Sequence, residues 1–153
     1  MISFESDYNN GMLPEILERL AETNDVKTSG YGSDVYCEEA KSRIRKAIDN
    51  DGADVFFLVG GTQTNTTVID SLLLGCEGVI ALETGHIAVH ESGAVEAFGH
   101  KVITLEGENS KLGAADVARY MDTFLADETC GHMVQPGMVY ISLPTEYGMV
   151  YSR

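Results

Sequence analysis

Apolar residues along the chain follow two spacings. Helical spacing appears first at residues 14–20, where Pro14 stands at a favoured helix-opening position and Asn24 and Asp25 close the pattern. It returns at 38–50, where Ala40, Ile44, Ala47 and Ile48 share one face and Lys41, Arg43, Arg45 and Lys46 lie on the solvated face. Further helices are predicted at 64–74 and at 113–126, the latter with Val117, Tyr120, Met121 and Phe124 on one face. Between the helices stand short runs, most of them apolar throughout rather than alternating, at 54–59, 79–82, 101–105 and 138–143, with Asp54, Lys101, Thr104 and Ser142 as the polar exceptions. Residues 90–96 read as a short helix or turn. Continuous apolar runs alternating with helices predict an α/β fold, a mostly parallel sheet with helices on both faces. Ligands of such sheets sit beyond the carboxyl ends of the strands.

The run at 54–59 stops at Gly60-Gly61, and Thr62-Gln63-Thr64-Asn65 then opens a helical pattern. A buried strand, a glycine turn and a helix N-terminus can together bind an anion, most naturally a phosphate. Glycine lets backbone approach a ligand closely, and first-turn N–H groups are left without intrahelical partners. A tight turn with no ligand has the same pattern, so both readings stand on these residues. Gly30-Tyr31-Gly32 is likewise either a ligand-facing loop or a plain turn.

The length of 153 residues suits one domain with a real core. The formal net charge of −14 argues against nucleic-acid and anionic-membrane partners, while leaving room for a phosphate held by backbone donors. No apolar stretch is long enough to span a bilayer, and residues 1–5 lack the basic start of a signal peptide. Cys37, Cys76 and Cys130 fit reduced thiols of a cytoplasmic protein; Cys130 with His132 lacks a partner pair for zinc, so no metal is expected.

Common phosphate-binding motifs fit poorly. No lysine follows the glycines as a Walker loop requires, and Thr64 stands where a dinucleotide fingerprint needs its third glycine. No Gly-x-Ser-x-Gly elbow is present. His86 follows an apolar run and a glycine, so it is placed to stack, to move protons or to ligate a metal. His90 is four residues on, but no third ligand is evident. A hydrogen-bonded surface histidine is the plainer alternative.

Taken together, Gly-Gly-Thr-Gln-Thr-Asn at 60–65, Glu-Thr-Gly-His-Ile at 83–87 and His-Glu-Ser-Gly-Ala at 90–94 resemble the N-terminal half of the low-specificity L-threonine aldolases. More broadly they resemble the β-eliminating lyase group of pyridoxal 5'-phosphate enzymes with the aspartate aminotransferase fold. Ser6-Asp7 and Asp34-Val35-Tyr36 extend the similarity across essentially the whole chain. The resemblance implies the first half of the large domain of that fold, with residues 1–50 as an N-terminal arm and helices and 51–153 as the start of the cofactor-binding domain. It also implies that Gly60, Gly61 and Thr62 hold the cofactor phosphate. His86 would stack on the pyridine ring and assist proton transfer as the catalytic residue. Ser6 would lie near the substrate carboxylate, and Tyr31 or Tyr36 would reach a neighbouring subunit's site in a homodimer or homotetramer. The implied activity is that of a lyase, by retro-aldol cleavage or β-elimination of a small β-hydroxy or β-substituted amino acid. An aminotransferase relative or a non-catalytic phosphate-ligand domain are the alternatives.

Two departures from the family pattern stand out. Residues 142–148 lack the histidine found there in many members, with Tyr147 as its candidate replacement. The Asp-x-Ala-Arg segment and the lysine that anchors the cofactor covalently are also absent, and Lys27, Lys41, Lys46, Lys101 and Lys111 stand in unrelated contexts. The expectation is therefore an N-terminal fragment, inactive alone. Its open sheet edge would favour oligomers or domain-swapped pairs.

Overall fold

Val79 and Ala81 pack into one buried cluster and Ile80 and Leu82 into another, because successive side chains of a strand point to opposite faces. In the computed structural model, which describes residues 10–152, these four residues belong to β1 (Glu77–Leu82), the middle strand of a three-stranded sheet. Its neighbours are β2 (Val102–Leu105) and β3 (Gln135–Val139), both parallel to it, in the order β2-β1-β3. Helices cover both faces. The first cluster adds Ile69 and Leu73 from α3 (Gly61–Leu72) and its C-cap, Ile87 from α4 (His86–Val89) and Val95 from α5 (Ala94–Ala97). The second adds Ile103, Leu112 and, from α6 (Ala114–Ala126), Val117, Tyr120 and Met121. The expected parallel α/β arrangement is thus present.

The chain divides into two compact units, Met1–Phe57 and Leu58–Arg153, and the sheet lies wholly in the second. The first contains α1 (Pro14–Thr23), with Pro14 at its start, and α2 (Val35–Ala47). Helix α2 begins three residues before the apolar pattern does because Asp34 caps it, accepting hydrogen bonds from Tyr36 N and Cys37 N at 3.0 Å each. Hydrogen bonding from Cys37, side chain first and then backbone, holds the Asp34 carboxyl below its usual range. A carboxyl depressed by folding contributes stability above its unfolded pKa and loses it as pH falls through the folded value. The start of α2 is therefore expected to loosen as pH drops below about 4. Amide NMR shifts of Tyr36 and Cys37 should report this, and Asp34→Asn, still a good cap, should flatten their dependence on this group.

Two expectations are corrected. Residues 54–59 form no strand: they have no ladder partner among the described residues, and Phe56 and Val59 are 81% and 94% exposed. Both sides of β1 are already taken by β2 and β3. The last strand runs over Gln135–Val139 rather than 138–143. Pro136 is tolerated there because β3 is an edge strand, and the register irregularity leaves Gly137 between the partners of Gly78 and Val79. A Cβ on Gly137 would come within 2.7 Å of Leu73 Cδ2, so any larger residue there would push the Leu73 and Glu77 side chains aside. The expected short helix or turn at 90–96 is present as a turn over 90–93 leading into α5, and a further short helix, α4, starts ahead of it at His86. No helix among the described residues is long and apolar enough to cross a membrane.

Candidate functional site

A helix that leads back into a parallel strand runs antiparallel to it, so the N-terminus of α3 lies beside the carboxyl end of β1. Gly60 is its N-cap, in extended conformation, and Gly61 its first residue. The first backbone N–H taken up by the helix is that of Thr64, donated to Gly60 O at 3.0 Å. The N–H groups of Gly61, Thr62 and Gln63 precede it and are the natural anion donors. A Cβ built on Gly60 or Gly61 meets no protein atom within 4 Å. Neither glycine is demanded by packing, and the space in front of them is open to a ligand. Thr62 is exposed beside them.

Beyond β1 the chain turns sharply, with Gly85 N donating to Leu82 O at 2.8 Å. A Cβ on Gly85 would lie 2.9 Å from that oxygen, so this turn does require glycine. His86 follows immediately and begins α4. Its ring Nδ1 is 2.8 Å from Glu91 Oε1, and the same oxygen accepts Asn65 Nδ2 at 2.6 Å. The His86 side chain is 48% exposed and that of Glu91 is 0% exposed. Asn65 lies on α3, so this carboxylate joins the glycine turn to His86. His90 contributes a second imidazole, its ring centroid 5.6 Å from that of His86. Glu91 Oε2 and Thr84 Oγ1 are buried with no hydrogen-bond partner among the described residues.

The structure thus brings Gly60, Gly61, Thr62 and His86 to one end of the sheet. Ser6 lies outside the described residues. Tyr31, fully exposed in left-handed conformation, and Tyr36, on α2, belong to the other unit. Tyr147 is exposed in the turn after Pro144. A cleft of about 420 Å³ between β2 and α6, lined by Thr104, Glu106, Arg119 and Tyr120 among others, contains none of the glycine-turn or His86 residues.

Asn65 and Glu91 are the two residues that the sequence reading did not single out, although both stand inside stretches that caught attention. A glutamate in a polar turn gives no local sign of burial. Only the pairing of residues 26 positions apart reveals it.

An open glycine turn and a carboxylate-tethered imidazole thus stand at the carboxyl end of the middle strand of a parallel α/β sheet. The chain belongs to the β-eliminating lyase family, whose model matches residues 3–153. It is 33% identical over 150 residues to a low-specificity L-threonine aldolase of a Pseudomonas species and 32% identical to that of Pseudomonas aeruginosa. Each alignment covers 97% of this chain and 42% of the relative, so the chain spans less than half the length of either enzyme. A solved threonine aldolase from Leishmania major is 42% identical and superposes with a TM-score of 0.88, over 95% of this chain and 42% of that one.

Proposed function

We propose that the protein to which these 153 residues belong is a pyridoxal-phosphate-dependent lyase that cleaves or eliminates at the β-carbon of a small β-hydroxy or β-substituted amino acid, the residues present being inactive alone without the lysine that anchors the cofactor. The observation that carries this reading is the open glycine turn tied through Asn65 and Glu91 to His86, in a chain of the β-eliminating lyase family. The residues fit the cofactor. A phosphate has unhindered access to the first-turn N–H groups of α3, and a half-exposed imidazole is available for a planar ring.

In this reading Gly60, Gly61 and Thr62 hold the phosphate through backbone donors and the Thr62 hydroxyl, helped by the positive end of the helix dipole. Bound pyridoxal phosphate supplies the electron sink that weakens bonds at the substrate α-carbon. His86 would be the residue available to its ring and would hold or move a proton at Nε2. Ser6 orients the substrate carboxylate, and Tyr31 or Tyr36 serves the site of a neighbouring copy in a homodimer or homotetramer. A cytoplasmic setting accords with the three free cysteines.

Titration with pyridoxal phosphate, pyridoxamine phosphate and inorganic phosphate tests the reading. Both pyridine compounds should bind more tightly than inorganic phosphate. His86→Ala should weaken them roughly 3- to 10-fold, the worth of an aromatic pair, and leave inorganic phosphate unchanged. Equal binding of all three, insensitive to His86, would replace the enzyme reading with a non-catalytic phosphate-binding domain.

A further inference from the structure

We propose that Glu91 is a positioning residue for His86: its carboxylate holds the imidazole as the Nδ1–H tautomer, leaving Nε2 as the proton-accepting atom of the site. The proposal rests on the functional reading above but stands on its own geometry. An ionised carboxylate only accepts hydrogen bonds. Oε1 already takes the Asn65 amide at 2.6 Å, so the proton in the 2.8 Å contact with His86 is the imidazole's, on Nδ1. Neutral imidazole carries one N–H, and Nε2 is therefore left with its lone pair.

Burial shows which partner is fixed. The Glu91 side chain is fully enclosed, whereas half of the His86 side chain is open. Two consecutive left-handed residues, Ser92 (φ 54°) and Gly93 (φ 73°), follow Glu91 and separate α4 from α5. Oε2 is buried without a partner among the described residues, a costly arrangement for a carboxylate. A purely structural ion pair would be expected to satisfy both oxygens or leave them in water. Here one oxygen collects two donors and the pair is open only on the imidazole side.

Long-range proton–nitrogen NMR of histidine-labelled protein, without cofactor and above the imidazole titration range, reads the tautomer directly. His86 should be mostly Nδ1–H in the unsubstituted protein. It should become mostly Nε2–H in Glu91→Ala and return to mostly Nδ1–H in Glu91→Gln, whose amide oxygen can still accept. A His86 that is mostly Nε2–H in the unsubstituted protein overturns the proposal, whether or not any variant folds. So does an unchanged tautomer in a Glu91→Ala protein whose β1 and β2 amide signals are intact. A second readout is pyridoxal phosphate affinity. Glu91→Ala should lower it no more than His86→Ala does, and should add nothing in the His86→Ala background, because it acts through that ring. An additive loss in the double variant also overturns it. Failure of pyridoxal phosphate to bind the unsubstituted protein would count against the proposed function and leave the tautomer result standing.

Discussion

Gly61→Val is expected to weaken pyridoxal phosphate binding about a hundredfold or more and to leave the fold intact. The two halves of this expectation come from different observations. Position 61 is the first residue of α3, and a Cβ there meets no protein atom within 4 Å, so the protein itself has room for the valine. Valine also has a slightly better helix propensity than glycine. The melting temperature should therefore hold or rise slightly. The added carbons instead occupy the space a phosphate needs to reach the first-turn N–H groups. A hydrogen bond to a charged group contributes about 1.5–3 kcal/mol, so losing two weakens binding about a hundredfold or more. Gly61→Ala should show a smaller loss with the same intact fold. Cofactor titration and a thermal melt on the same preparations check both halves. A folded Gly61→Val protein that binds pyridoxal phosphate normally would remove the glycine turn from the site.

The contrast between Gly61 and Gly85 shows what was legible in the sequence. Both glycines follow apolar runs and look alike in one dimension. Gly85 is required by the turn it makes against Leu82 O, while Gly61 is not required by any neighbour. Hydrophobic patterning located β1 and β2, and α2 and α6 to within a few residues, since their apolar positions repeat with the strand or helix period. It placed 54–59 in a strand because those residues are apolar. Apolar character predicts a wish for burial and says nothing of a ladder partner, and this segment has none among the described residues. It missed the beginning of β3 for the opposite reason. Pro136 and Gly137 have poor strand propensity, but the alignment of Gln135 and Pro136 with Glu77 and Gly78 decides the strand. Of the candidate site, the glycine turn and His86 could be read from local order. The Asn65–Glu91–His86 connection could not, because it depends on α3 and the α4–α5 turn meeting in space.

The same limitation hid His100, which patterning left without a role and the structure makes a strut. It is 4% exposed, just ahead of β2. Its Nδ1 lies 3.0 Å from Glu77 O at the start of β1, and its Nε2 lies 3.3 Å from Asp70 Oδ1 on α3. One side chain thus joins the approach to β2 to the middle strand and to the helix that carries the glycine turn. His100→Ala should destabilise the protein by about 3 kcal/mol, from a buried acceptor losing its donor and from the volume left behind. For a chain of this size that lowers the melting temperature by about 6–12 °C. The two contacts are unequal, because the Asp70 side chain is 51% exposed and its pair with the ring is screened by water. Asp70→Ala should cost less than about 1 kcal/mol. His100→Asn, whose amide nitrogen can stand near the place of Nδ1, should recover part of the loss, whereas His100→Gln, which reaches toward Asp70 instead, should recover less. A His100→Ala melt within about 2 °C of the unsubstituted protein, less than about 1 kcal/mol at this chain length, would show that the strut carries no weight. An equal drop for Asp70→Ala would shift that weight to the solvent-facing contact.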